Sequence, residues 1–179
     1  MEQRFAGHFP FVSATAHFFY SRDSSIAKLI HDMKYRGFSK IGNLLGEISA
    51  KELFVSGFFA DIEAIVPVPM HYLKKARRGY NQTDNIAQGI SKVTGIPVYD
   101  ILKMNRSRKT QTSLTLEQRL KNAENLFSIR DHLAKMMPES ILLVDDICTT
   151  GTTLGAAATA IVRDYPNVKI YLFTIGATF

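Results

Sequence analysis

A chain of 179 residues, 46% apolar and 21% charged, is long enough to bury one core and too short to divide into several domains. Its apolar runs fall far short of the ~20 residues a spanning helix needs, and Glu2, Arg4 and His8 interrupt any signal-peptide block, so the chain reads as cytoplasmic with no membrane insertion. The single cysteine, Cys148, excludes an internal disulfide and a cysteine-cluster zinc site, while a formal net charge of +6 favours anionic ligands, whether nucleic acid or a polyphosphorylated small molecule.

In chain order, Phe9 to Tyr20 is aromatic and β-branched enough to predict a strand or hairpin. Ser24-Ser25 predicts a helix cap, followed by Ile26, Leu29, Ile30 and Met33 at i, i+3, i+4 and i+7, with Gly37 closing the helix after Lys34-Tyr35-Arg36. Lys34 and Arg36 either compensate the helix dipole or face a substrate. Ile41, Leu44, Leu45 and Ile48 repeat the helical pattern, and these two helices are expected as a hood or flank beside a sheet. Ile62 to Val68 is the next predicted strand, stopped by Pro67 and Pro69. Met70 to Gln82 then leaves the carboxyl end of that strand, where ligands bind in open α/β sheets, so its cations either face the site or form a solvated loop.

Asn81 or Thr83 caps a helix carrying Ile86, Ile90 and Val93, and Gly95-Ile96-Pro97 turns the chain into a predicted strand, Val98 to Leu102. Lys103 to Ser113 is polar and cationic without periodicity. Thr115 to Gln118 has capping-box spacing and predicts a short helix bearing Arg119 and Asn122. Asn125 to Ile129 is another expected strand, and Val168 to Ile175, after Pro166-Asn167, is the last central one. Strands alternating with amphipathic helices give an α/β fold with a mostly parallel sheet.

The most informative stretch is Ile141 to Leu154. Ile141 to Val144 suits a strand buried on both faces, and Asp145-Asp146 is expected to stop it where it leaves the sheet. Cys148 to Thr153, rich in hydroxyls around Gly151, leads into Leu154, Ala157, Ala158, Ile161 and Val162 at helical spacing. Free N–H groups at a helix start, hydroxyls and a glycine suit a phosphate monoester. The carboxylates cannot bind phosphate and suit sugar hydroxyls or water on a divalent cation. A strand-ending acid pair with a capping Thr-Gly run is the bland alternative, made improbable by the four features occurring together.

These residues resemble the 5-phosphoribosyl 1-pyrophosphate (PRPP) motif of type I phosphoribosyltransferases at every position. The resemblance implies Asp145 and Asp146 at the ribose 2- and 3-hydroxyls, holding Mg²⁺ through water or those hydroxyls, and Cys148, Thr149, Thr150, Gly151, Thr152 and Thr153 around the 5-phosphate. Pro67-Val68-Pro69, Arg78-Gly79-Tyr80-Asn81-Gln82, the Lys103-to-Arg119 loop with Gln111 and Leu114, and Lys34-Tyr35-Arg36 together resemble the ComF (competence protein F) family over nearly the whole chain. The order of parts is also similar to the phosphoribosyltransferase domain of glutamine amidophosphoribosyltransferase, without its amide-hydrolysing half. The cysteine-rich zinc ribbon that often precedes the ComF domain is absent from these residues, so either the sequence starts after it or this member never had one.

The implied organisation is a single type I phosphoribosyltransferase-like domain, with 1–60 as the N-terminal hood region and 61–179 as the PRPP-binding core. The implied function is transfer of the 5-phosphoribosyl group from Mg²⁺-PRPP to an unidentified nitrogen acceptor with pyrophosphate release. The alternative is a non-catalytic PRPP- or nucleotide-binding regulator or adaptor working with competence and DNA-uptake proteins. Asp145, Asp146, Arg119 and Lys109 are the expected catalytic residues, and Pro69, Met70, His71, Arg78, Gly79, Asn81, Gln82 and Arg108 are expected to bind the donor. His31, His71 and Tyr35 are candidates for acceptor selection, Cys148 is expected to fill a tight loop, and Asn105 to Ser113 is expected to order over bound PRPP. Direct nucleic-acid binding is the weaker reading, because the basic clusters lack interleaved aromatics apart from Tyr80.

Overall fold

The computed structural model describes residues 1–21, 23–105, 126–130 and 137–178. Four strands form its main sheet: β1 (Ser13–Phe19), β2 (Ala64–Pro67), β5 (Ser140–Cys148) and β6 (Lys169–Ala177), in the order β1-β6-β5-β2 with every neighbour parallel. The α/β class and mostly parallel sheet expected from the sequence are what is observed. Alternation along the strands divides the core cleanly. Val66, Leu143 and Leu172 face one side, and Ile65, Leu142, Val144 and Phe173 face the other.

On the first side lies α5 (Thr152–Asp164), whose Leu154, Ala157, Ala158 and Ile161 pack with Phe5 and Phe9. The second side is covered by α1 (Ser25–Tyr35), α2 (Ser39–Val55) and α4 (Gln82–Thr94), through residues such as Ile30, Met33, Leu45, Ile86 and Ile90. The two N-terminal helices are thus a flank of the sheet. Ser24 accepts the Ala27 N–H at 3.2 Å, as its cap position predicts. α2 and α4 meet backbone to backbone, Gly46 against the Ile86 carbonyl and Gly89 against the Asn43 carbonyl.

Three local expectations are corrected. β5 runs through the acid pair to Cys148, because β6 keeps pairing with it as far as Cys148 opposite Ala177. Pairing with β2 stops at Val144, after the Val68 N–H bonds the Val144 carbonyl and Pro69 offers no donor. The strand expected at Val98 to Leu102 is reduced to a bridge between Val98 and Ile65. Ile65 exchanges bonds with Pro97 and Tyr99, but the next donor on that edge of β2 would be Pro67, which has no N–H. The chain instead peels away into β3 (Leu102–Met104), antiparallel to β4 (Phe127–Ile129). Tyr72–Arg78 is not an irregular loop but α3, capped by His71 Nδ1 accepting from the Leu73 N–H at 3.3 Å and ended by Gly79 at φ 84°. No helix among the described residues is long and apolar enough to cross a membrane.

Candidate functional site

The unequal lengths of β2 and β5 create the site, since β5 continues past the point where β2 ends and carries Asp145 and Asp146 along the open side. Their environments differ. Asp146 is 5% exposed, and its Oδ2 accepts from Lys34 Nζ at 2.8 Å and from Gln82 Nε2 at 2.6 Å. Asp145 is partly exposed, and its Oδ1 accepts the Asp146 backbone N–H at 2.8 Å. Burial, then the neighbouring Asp146 charge, push the Asp145 carboxyl up to about 8, against the opposing pull of that N–H and of Lys34.

A carboxyl raised in the folded state takes up a proton on folding. Its contribution to stability is complete below the unfolded value near 3.8 and is lost as pH rises through about 8. Asp145→Asn keeps an acceptor for the Asp146 N–H and is neutral throughout, so in metal-free buffer its melting temperature should gain on the native protein's between about pH 5 and about pH 9. Thermal melts in EDTA at the two pH values check this, and a gap that shrinks with pH contradicts it.

Beyond Cys148 the chain turns into α5 through Gly151, whose φ of 81° is costly for a side chain with a Cβ. The first-turn N–H groups of α5 have no intrahelical acceptors and point into the loop. Asp145, Ile147 and Cys148 to Leu154 line a small cavity of about 30 Å³, and Thr150 Oγ1 lies 2.9 Å from Thr152 Oγ1 at its rim. Every phosphate-loop residue expected from the sequence meets here. The loop is held from behind by residues that no local pattern announced. Arg4 donates to the carbonyls of Cys148 (3.0 Å), Thr149 and Thr178, and Phe5 Cε1 would lie 2.8 Å from a Cβ on Gly151. Cys148 is buried and free, its thiol pushed up by burial despite Arg4.

Asp145, Ile147 and Thr153 also border a second cavity of about 560 Å³. Pro69, Met70 and His71 enter it from the end of β2, Lys74 and Arg78 from α3, Asn81 and Gln82 from the start of α4, and Lys34 and Tyr35 from the end of α1. Gly79 is not in its wall but terminates α3 and so sets where Tyr80 to Thr83 begin. Asn81 and Thr83 both donate to the Val68 carbonyl, at 3.2 and 2.7 Å, fastening α4 to the loop after β2. The Arg78 guanidinium sits 4.8 Å over the Tyr35 ring and donates to Gln82 Oε1 at 3.0 Å. Of the acceptor candidates, Tyr35 and His71 line the cavity, whereas His31 lies on the exposed side of α1 against Tyr35 and Asp32. Arg108, Lys109, Gln111, Leu114, the capping box at Thr115 to Gln118, Arg119 and Asn122 lie outside the described residues, as does the Asn105-to-Ser113 expectation beyond Asn105.

Among the described residues no three His, Cys, Asp or Glu side chains cluster as a metal cage. The acid pair nevertheless fits Mg²⁺, which binds through one or two carboxylates and completes its octahedron with water and substrate phosphates.

No protein-family model matches the chain. It is 39% identical over 94 residues to Competence protein F of Haemophilus influenzae, which spans 52% of this chain and 41% of that protein. It is 28% identical over 144 residues to DNA utilization protein YhgH of Escherichia coli, covering 78% and 62% respectively. It is 26% identical over 160 residues to Competence protein ComFC of Bacillus subtilis, covering 87% and 61%. The chain therefore spans about two fifths to three fifths of the length of these curated relatives.

Proposed function

We propose, from the likeness to Competence protein F, YhgH and ComFC, that this chain is a ComF-family protein that binds Mg²⁺-PRPP and transfers the 5-phosphoribosyl group to a nitrogen acceptor, releasing pyrophosphate. The relatives' names place them in competence and DNA utilisation, and we propose the same setting for this chain. What carries the reading is one juxtaposition. A small cavity at a helix N-terminus and a large cation-lined cavity adjoin at Asp145, matching a ligand with a monoester at one end and a diphosphate at the other.

In this reading the first-turn N–H groups of α5 and the threonine hydroxyls hold the 5-phosphate. Asp145 accepts from ribose hydroxyls and, with Asp146 behind it, holds the cation. Mg²⁺ bound there supplies neutralisation of the departing diphosphate. Lys74 and Arg78 face the same leaving group from α3, and Arg78 is oriented by Tyr35 and Gln82. Positive charge develops at the anomeric carbon, so the chemistry asks for positioning and electrostatics and needs no protein nucleophile.

PRPP with Mg²⁺ should stabilise the protein by RT ln(1 + [L]/Kd), about 2.7 kcal/mol at a hundredfold excess over Kd, or roughly 5 to 10 °C in Tm for a domain of this size. No shift at about millimolar PRPP and Mg²⁺ removes the donor-site reading. Incubation with Mg²⁺-PRPP and a panel of bases and amines, scored for pyrophosphate, tests transfer. Stabilisation without pyrophosphate release under any acceptor selects the non-catalytic regulator or adaptor.

A further inference from the structure

The two acids of the site are not equivalent, and the residue that separates them comes from the N-terminal flank. Lys34 leaves the last turn of α1 and places Nζ 2.8 Å from Asp146 Oδ2, the same oxygen that takes the Gln82 amide at 2.6 Å. Two further contacts fix that end of α1: Tyr80 Oη donates to the Met33 carbonyl, and Arg78 lies over Tyr35. Lys34 is therefore held by a braced scaffold and is not a loose surface cation. Asp145, in contrast, receives a backbone N–H and borders both cavities.

We infer that Lys34 is a positioning residue that acts as the resident cation of Asp146, leaving Asp145 as the carboxylate open to metal, so that the acid pair takes one divalent cation. A metal entering at Asp146 Oδ2 would have to displace a partly buried ammonium from a buried carboxylate, leaving that ammonium without its partner. At Asp145, which takes a backbone N–H, has no paired cation among the described residues and borders both cavities, no side-chain cation has to be displaced. The inference rests on the Mg²⁺-PRPP reading for the metal's purpose, but Asp146's engagement by Lys34 is independent of what the metal carries.

Mn²⁺ alone, titrated calorimetrically into the native protein, Lys34→Arg and Lys34→Met, tests it. Lys34→Met uncovers Asp146 beside Asp145, and Mn²⁺ should bind at least about tenfold tighter, because two carboxylates then share the ion. Lys34→Arg should behave like the native protein, as a replacement cation would. Equal or weaker Mn²⁺ binding by folded Lys34→Met overturns the inference. If Lys34→Met does not fold, the native protein supplies the second measurement. Reductive methylation mapped by mass spectrometry should leave Lys34 protected relative to exposed Lys74, with or without saturating Mn²⁺. Methylation of Lys34 that rises on adding Mn²⁺ means the metal has taken Asp146, and overturns it. Neither measurement contains PRPP, so a failure of PRPP to bind and a failure of this inference are read separately.

Discussion

Gly151→Val is expected to weaken binding of ribose 5-phosphate and PRPP by about a hundredfold or more, close to 3 kcal/mol, and to lower the melting temperature as well. Two causes act together. A β-branched residue is strained at φ 81°, so the turn that aims the α5 N–H groups at the small cavity relaxes away from its shape. The new Cβ would also lie 2.8 Å from Phe5 Cε1, inside van der Waals contact. Phe5 is 2% exposed and packed on Phe9 and Phe11, so it has little room to yield. From sequence, with Gly151 seen merely as the place where backbone approaches a phosphate, the substitution would spare the fold; the Phe5 contact corrects that expectation. Gly151→Ala should lie between the two, keeping the Cβ clash without the branch. Calorimetry with ribose 5-phosphate and a thermal melt measure the two effects, and an unchanged affinity in Gly151→Val would mean the phosphate binds elsewhere.

The largest loss of stability is expected from Gly89→Val, at about 3 kcal/mol or more and a fall of roughly 10 °C in Tm. Glycine in a helix interior costs about 1 kcal/mol relative to alanine, so an exposed Gly89 would be improved by substitution. Here packing wins. A Cβ at Gly89 would overlap the Asn43 carbonyl, and one at Gly46 would overlap the Ile86 carbonyl, so the obstacle is main chain on both sides and no rotamer change relieves it. α4 would have to lift from α2, carrying with it Asn81, Gln82 and Thr83 at its start. The variant should therefore lose ligand affinity along with stability, although Gly89 does not line the cavity. Urea unfolding would measure the first loss and calorimetry the second. A Gly89→Val protein as stable as the native one would refute the close helix crossing.

What could be read in the sequence was whatever is contiguous. Strand, acid pair, threonine–glycine loop and helix follow one another from Ile141 to Leu154, and the structure keeps them together with a strand that runs four residues past its expected end at Val144. The extension was invisible because it depends on β6 continuing to pair where β2 has stopped. α3 escaped notice for a different reason. None of its residues is buried, so it has no apolar stripe to reveal helical spacing, and its cap is a histidine and not a hydroxyl or carboxamide. Arg4 acts on a carbonyl 144 positions away, and Lys34 was legible as a helix-terminal cation but not as the partner of Asp146. Side chains that brace a site across the fold leave no spacing to read.

The strand order has a consequence for how the molecule is made. β6, the last of the described strands, lies between β1, the first of them, and β5. During synthesis β1 emerges before β6, its neighbour in the main sheet among the described residues, which follows 158 residues later by register. Pairings this distant close slowly, because the entropy of the intervening loop is spent before any contact is gained. The helices α2 and α4 can associate through their glycine crossing in the meantime, but β5 keeps an edge open beside them. A nascent or truncated chain without Lys169–Ala177 would carry two unpaired strand edges, the kind of surface that drives self-association during folding.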